Sequence, residues 1–150
     1  MRGVLIGVVG GVVVLGVAAA VAVPEARQWY DGRHEQTSSY ATGKKAKQER
    51  ESVPRWLPDD AASVEYAMRT TGGERILKAT LGEAGLPAQC EPLDGAAAPA
   101  PEISASWFPS DVAGGAKGRC GSYYVSLKNG TLYAWQTNAD WVEENRNSGA

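Results

Sequence analysis

A hydrolytic triad, a metal centre and a thiol-exchange motif each need particular side chains at particular spacings. The single histidine, His34, stands in a polar stretch outside the segment with folded-domain character, so no Ser/His/Asp set can be built inside that segment. Cys90 and Cys120 are not in C-x-x-C spacing, and no second pair or neighbouring histidine completes a metal site. Gly114-Gly115 lacks the phosphate-cradling loop pattern. Asp59, Asp60, Glu91, Asp94, Glu102 and Asp111 could supply a carboxylate pair for glycoside chemistry, but solvated loop acids explain them more simply. No catalytic residue, metal ligand or cofactor is assigned on this basis. Residues 53–142 carry seven basic and ten acidic side chains, a net charge of −3, which gives nucleic-acid binding no electrostatic footing.

Aromatic residues are the better lead to a function. Trp56, Trp107, Trp135 and Trp141 are many for a segment of this size, and such rings give rigid amphipathic contact area at binding sites. Tyr124, Tyr133 and Trp135 fall on one face of an expected hairpin. That face could stack on a sugar or take a peptide. Alternatively, Trp56 and Trp107, each near prolines, could fold over it as a second small core.

The elements that would position these groups can be read in order. Gly3 to Val23 is a run of 21 residues without charge, amide or hydroxyl side chains. As a helix it extends about 31 Å, enough to cross a bilayer core. A retained anchor over residues 1–23 is the reading favoured by its length. A cleaved signal is the alternative, with Arg2 as its n-region and the small residues from Ala18 to Ala22 as a cut site. Gly3, Gly7 and Gly11 share one ridge, a spacing that lets membrane helices approach closely, although glycine is common in such helices anyway. Residues 24–52 are polar and read as a juxtamembrane linker, helical in parts and broken at Gly43. Lys44, Lys45, Lys47 and Arg50 form a basic cluster diluted by Glu49 and Glu51.

From Val53 the composition becomes that of a folded domain, expected to run to residue 142, with 143–150 as a flexible tail. Two hairpins are expected. In the first, Gly72-Gly73 is read as a two-residue turn pairing Val64 with Leu81, Tyr66 with Ala79 and Met68 with Leu77, which gives one apolar and one largely polar face. In the second, Asn129-Gly130 pairs Leu127 with Leu132 and Val125 with Ala134 on an aliphatic face. Tyr124 with Trp135 and Ser126 with Tyr133 form the opposite, aromatic face. Between the hairpins lies a long Ala/Pro-rich loop, with a short strand expected within Glu102 to Phe108. A brief helix is expected near Asp140 to Glu144.

Cys90 follows the first hairpin and Cys120 precedes the second, so a disulfide would tie them across the loop. Two buried free thiols are the alternative. A disulfide would place the domain outside the cytoplasm.

The residues Val53-Pro54-Arg55-Trp56-Leu57-Pro58, Arg69-Thr70-Thr71-Gly72, Leu86-Pro87-Ala88-Gln89-Cys90, Trp107-Phe108-Pro109, Arg119-Cys120-Gly121 and Tyr133-Ala134-Trp135 form a pattern. It resembles small membrane-anchored or secreted actinobacterial proteins of unknown function. The resemblance covers most of residues 53–135 and implies an extracytoplasmic domain. It supplies no activity and no site residue.

The expected protein is therefore α+β: a single-pass transmembrane helix, a stalk and a small antiparallel domain at the cell envelope. Its expected work is non-catalytic binding or structure, with the membrane and an envelope protein or glycan as partners. An envelope enzyme using loop carboxylates, or an accessory subunit pairing through the glycine ridge, are the rival classes.

Overall fold

The computed structural model describes residues 34–82, 85–93 and 97–148. The chain divides into two units, 1–34 and 35–150, and the strands and helices among the described residues belong to the second. The apolar run Gly3–Val23, with its Gly3/Gly7/Gly11 ridge, lies outside the described residues. Among the described residues no helix is long and apolar enough to cross a membrane.

The core element is a seven-stranded antiparallel sheet. Its strands are β1 (Glu35–Thr42), β2 (Ala62–Arg69), β3 (Arg75–Thr80), β4 (Glu91–Pro92), β5 (Gly118–Cys120), β6 (Tyr123–Lys128) and β7 (Thr131–Gln136), in the order β1-β2-β3-β7-β6-β5-β4. Helix α1 (Gly43–Glu49) follows β1, a 3-10 turn spans Val112–Gly115, and α2 (Asn138–Ser148) follows β7.

The second hairpin has the expected register, Leu127 opposite Leu132, Val125 opposite Ala134 and Tyr124 opposite Trp135. Asn129 and Gly130 both take positive φ, 52° and 78°, which the tight turn between β6 and β7 requires. The first hairpin differs. Tyr66 pairs with Leu77 and Met68 with Arg75, two residues from the expected register. The same residues therefore keep the same faces, but the connection is longer. Gly72 and Gly73 do not have positive φ. A Cβ on Gly73 would lie 2.3 Å from the Cβ of Trp141, so this glycine admits a packed ring.

The polar stretch read as linker is corrected from Glu35 onward. Tyr40 pairs with Val64 in the β1–β2 ladder. The Thr42 hydroxyl accepts from the Lys45 amide and caps α1. Gly43 begins this helix where a break was expected, because its backbone meets Pro58: an added Cβ would lie 1.9 Å from the Pro58 carbonyl oxygen. Lys47 and Arg50, read as part of a basic cluster, serve the fold. Lys47 donates to the Leu57 carbonyl at 2.6 Å, and Arg50 donates to the Tyr40 hydroxyl at 3.2 Å and to Gln36 at 3.0 Å. The tail is also corrected: α2 runs to Ser148, with the Thr137 hydroxyl accepting from the Asp140 amide at its start. The strand expected within Glu102–Phe108 does not form; that segment is irregular.

Both sheet faces are covered. One holds Val64, Tyr66, Leu77, Ala79, Val125, Leu132 and Ala134, under Ala46, Val53, Leu57 and Ala61. The other holds Ala67, Ile76 and Trp135, under Ile103, Phe108 and Val112 of the Ala/Pro-rich segment. A hairpin with an aliphatic and an aromatic face is accommodated by two cores, one on each side of a single sheet.

Cys90 and Cys120 form a disulfide across a sequence separation of 30, and their Cα atoms are 4.1 Å apart. They lie beside the Glu91–Arg119 pair of β4 and β5, so the bond closes the loop that carries the second cover.

Candidate functional site

The aromatic face of β6 and β7, read as either a binding surface or a second core, has little open area at its centre. Trp135 is fully buried, its indole N–H donates to the Pro99 carbonyl at 2.8 Å, and Phe108 meets it edge-on at 6.4 Å between centroids. Tyr124 and Tyr133 are half-buried beside it, with the Arg119 guanidinium 5.0 Å from the Tyr124 ring. Trp107 packs on this face, whereas Trp56 packs on the other, edge-on to Tyr123 at 5.7 Å. Of the two readings of this face, the second core is the one formed, with Phe108 and Trp107 on it and Trp56 on the opposite side of the sheet.

The candidate acids are dispersed. Asp59 is ion-paired with Lys47 at 2.6 Å, and the hydrogen-bonded ammonium holds its carboxyl below the usual carboxylate range. Glu102 accepts from the Asn138 amide at the start of α2. Glu91 lies on β4, at the opposite edge of the sheet from β1. Asp94 lies outside the described residues. Among the described residues no group of three or more His, Cys, Asp or Glu side chains could hold a metal ion.

A cleft of about 580 Å³ opens on the aliphatic side of the sheet, where the 51–56 loop, the start of β3, the β5–β6 turn and α2 converge. That volume falls in the range of small-molecule sites. Arg75 lines it at the first position of β3, only 9% exposed. Its Nη1 is shut from water without a hydrogen-bond partner, and among the described residues no carboxylate forms an ion pair with it. Tyr123, 5% exposed, lines the cleft as well. Its hydroxyl neighbours that of Tyr66, which in turn bonds Ser52 Oγ at 3.0 Å, and the Tyr123 hydroxyl has no partner of good geometry. The indole nitrogen of Trp56 is a third buried, unpartnered group. Trp141 stands over Gly73 at the cleft's side, and Ser122 and Gln136 are hydrogen-bonded to each other in its wall.

Burial pushes the Tyr123 phenol well above its ordinary value of 10.0, with the Tyr66 phenol adding to the rise; burial also raises Tyr66. The folded state therefore holds these protons where the unfolded chain has begun to lose them. Their contribution to stability is present below pH 10 and is lost as pH climbs above it. Melting temperature is expected to fall more steeply above pH 10 in the wild type than in Tyr123→Phe. Parallel curves would contradict this.

Sequence patterning does not reveal this cleft. The one signal it carries is Arg75, which shares the parity of Leu77 and Ala79 and so places a cation on the apolar side of its strand.

Comparison with protein-family models, curated proteins and solved structures finds no match.

Proposed function

We propose that this chain is a non-catalytic binding protein of the cell envelope, held to the membrane by residues 3–23, with the disulfide-closed domain outside the cytoplasm and the Arg75 cleft as its ligand surface. The observation that carries the reading is the cleft lining: the nine-tenths buried Arg75 with Tyr123 and Trp56, each with a buried donor atom that nothing among the described residues satisfies in good geometry. Leaving such groups unpaired costs about 1–3 kcal/mol each, a cost that a bound ligand would recover. The resemblance to small anchored or secreted actinobacterial proteins agrees with the location, as does the disulfide, which persists in oxidising compartments.

Soluble peptide and glycan fragments released from the envelope are the probes. Titrated into the full chain, one fraction is expected to quench tryptophan fluorescence saturably. That binding should be lost in Trp56→Leu and kept in Trp107→Leu, since Trp56 lines the cleft and Trp107 does not. Equal binding by both variants would contradict the cleft as the ligand surface. On intact cells, an impermeant amine label is expected to reach the exposed Lys44 and Lys128; labelling only after lysis would contradict the location.

A further inference from the structure

We infer that the cleft is selective for a singly charged carboxylate joined to an apolar or aromatic body, with the carboxylate seated on Arg75, Tyr123 and Trp56. The inference rests on the proposed role of the cleft as a ligand surface and specifies the chemistry of what enters it.

Three of the lining residues, Arg75, Tyr123 and Trp56, carry a buried group without a good hydrogen-bond partner, and all three can donate. Arginine and the tryptophan indole are donors only, and the Tyr123 hydroxyl, next to that of Tyr66, can donate to Tyr66 or to a ligand. A ligand group that satisfies all three must be an acceptor. The forked guanidinium matches a planar carboxylate or a phosphate.

Charge separates those two. Arg55 also lines the cleft, but its guanidinium donates to the carbonyls of Lys47 and Glu51, both at 2.8 Å. Glu51 and Glu144 line the cleft as well, and Glu144 lies over Gly121. Arg55 and Arg75 balance Glu51 and Glu144, so the lining is close to neutral and tolerates a monoanion at Arg75 better than a phosphate dianion. The walls supply the remaining preference: Trp56 edge-on to Tyr123, and Trp141 opposite, offer ring surface for an apolar body.

Calorimetric titration of the full chain with N-acetylphenylalanine, N-acetylphenylalaninamide and phenyl phosphate tests this. The amide keeps the body and removes the charge. The phosphate carries a dianion on an aromatic ring. The carboxylate is expected to bind about tenfold or more tightly than the amide, as loss of a charge-assisted pair implies, and more tightly than the phosphate. Arg75→Gln should abolish the preference for carboxylate over amide. Should Arg75→Gln fail to fold, Tyr123→Phe removes only a buried hydroxyl, and it should melt no lower than the wild type below pH 10 while binding the carboxylate several-fold more weakly. Equal affinity for carboxylate and amide, with binding still lost in Trp56→Leu, overturns the charge selectivity and leaves the cleft reading standing. Tighter phosphate binding overturns the monoanion assignment. Binding of none of the three overturns the inference, and the envelope-fragment titration then decides the cleft reading separately.

Discussion

Replacing Trp135 with alanine is expected to destabilise the domain by about 3–5 kcal/mol, the range for removing a large buried ring. Trp135 has no exposed surface. It packs against Phe108 and Tyr124, with ring centroids at 6.4 Å and 5.9 Å, and gives its indole hydrogen to Pro99. All of that contact comes from within the fold, so truncation leaves a cavity rather than an exposed patch. Against a typical total of about 5–15 kcal/mol, the loss is large. Trp135→Phe separates the two contributions: the ring largely remains, the bond to Pro99 is lost, and about 1–2 kcal/mol is expected. Chemical denaturation of the two variants measures both. A change near zero for Trp135→Ala would restore the aromatic face of β6 and β7 as an open surface.

Reduction of the Cys90–Cys120 bond is the second large effect. It closes a loop of separation 30, for which the chain-entropy treatment gives about 3.5 kcal/mol. A domain of this length would then melt roughly 15–25 °C lower in reductant. The loop includes Ile103, Phe108 and Val112, the residues that cover Trp135. Loosening it should therefore also make Trp135 more accessible to a soluble quencher at temperatures below the melt. Identical melting curves with and without reductant would contradict the stabilising role of the bond. The two perturbations act on one core and are not expected to add independently.

Parts of this architecture are legible in the sequence because one residue type does one job. Asn129-Gly130 is such a case: both residues must take positive φ, and the β6–β7 register follows from the turn. Gly72-Gly73 has the same appearance and a different cause. Its glycines make room, Gly73 for Trp141 and Gly72 for the Glu74 carboxylate, and the chain takes two further residues to turn. Strand β1 escapes notice because it is a polar edge strand, and only Glu35, Ser38, Tyr40 and Thr42 of EQTSSYAT are partly covered. Helix α1 buries just Gly43 and Ala46, too small a face to give a periodic apolar signal. The disulfide is readable from where the cysteines stand beside the hairpins. The cleft is harder, since Trp56, Arg75, Tyr123 and Trp141 are far apart in sequence and meet only when the 51–56 loop and α2 settle against the end of the sheet.

Ligand entering the Arg75 cleft should leave the opposite core untouched, and the tryptophans report on the two sides separately. Trp56 and Trp141 line the cleft, whereas Trp107 and Trp135 belong to the other face. In the full chain labelled at its indole nitrogens, titration with N-acetylphenylalanine should shift the Trp56 and Trp141 N–H resonances with a common saturation curve, while Trp135 stays fixed. Movement of Trp107 or Trp135 with Trp56 and Trp141 unmoved would contradict the account.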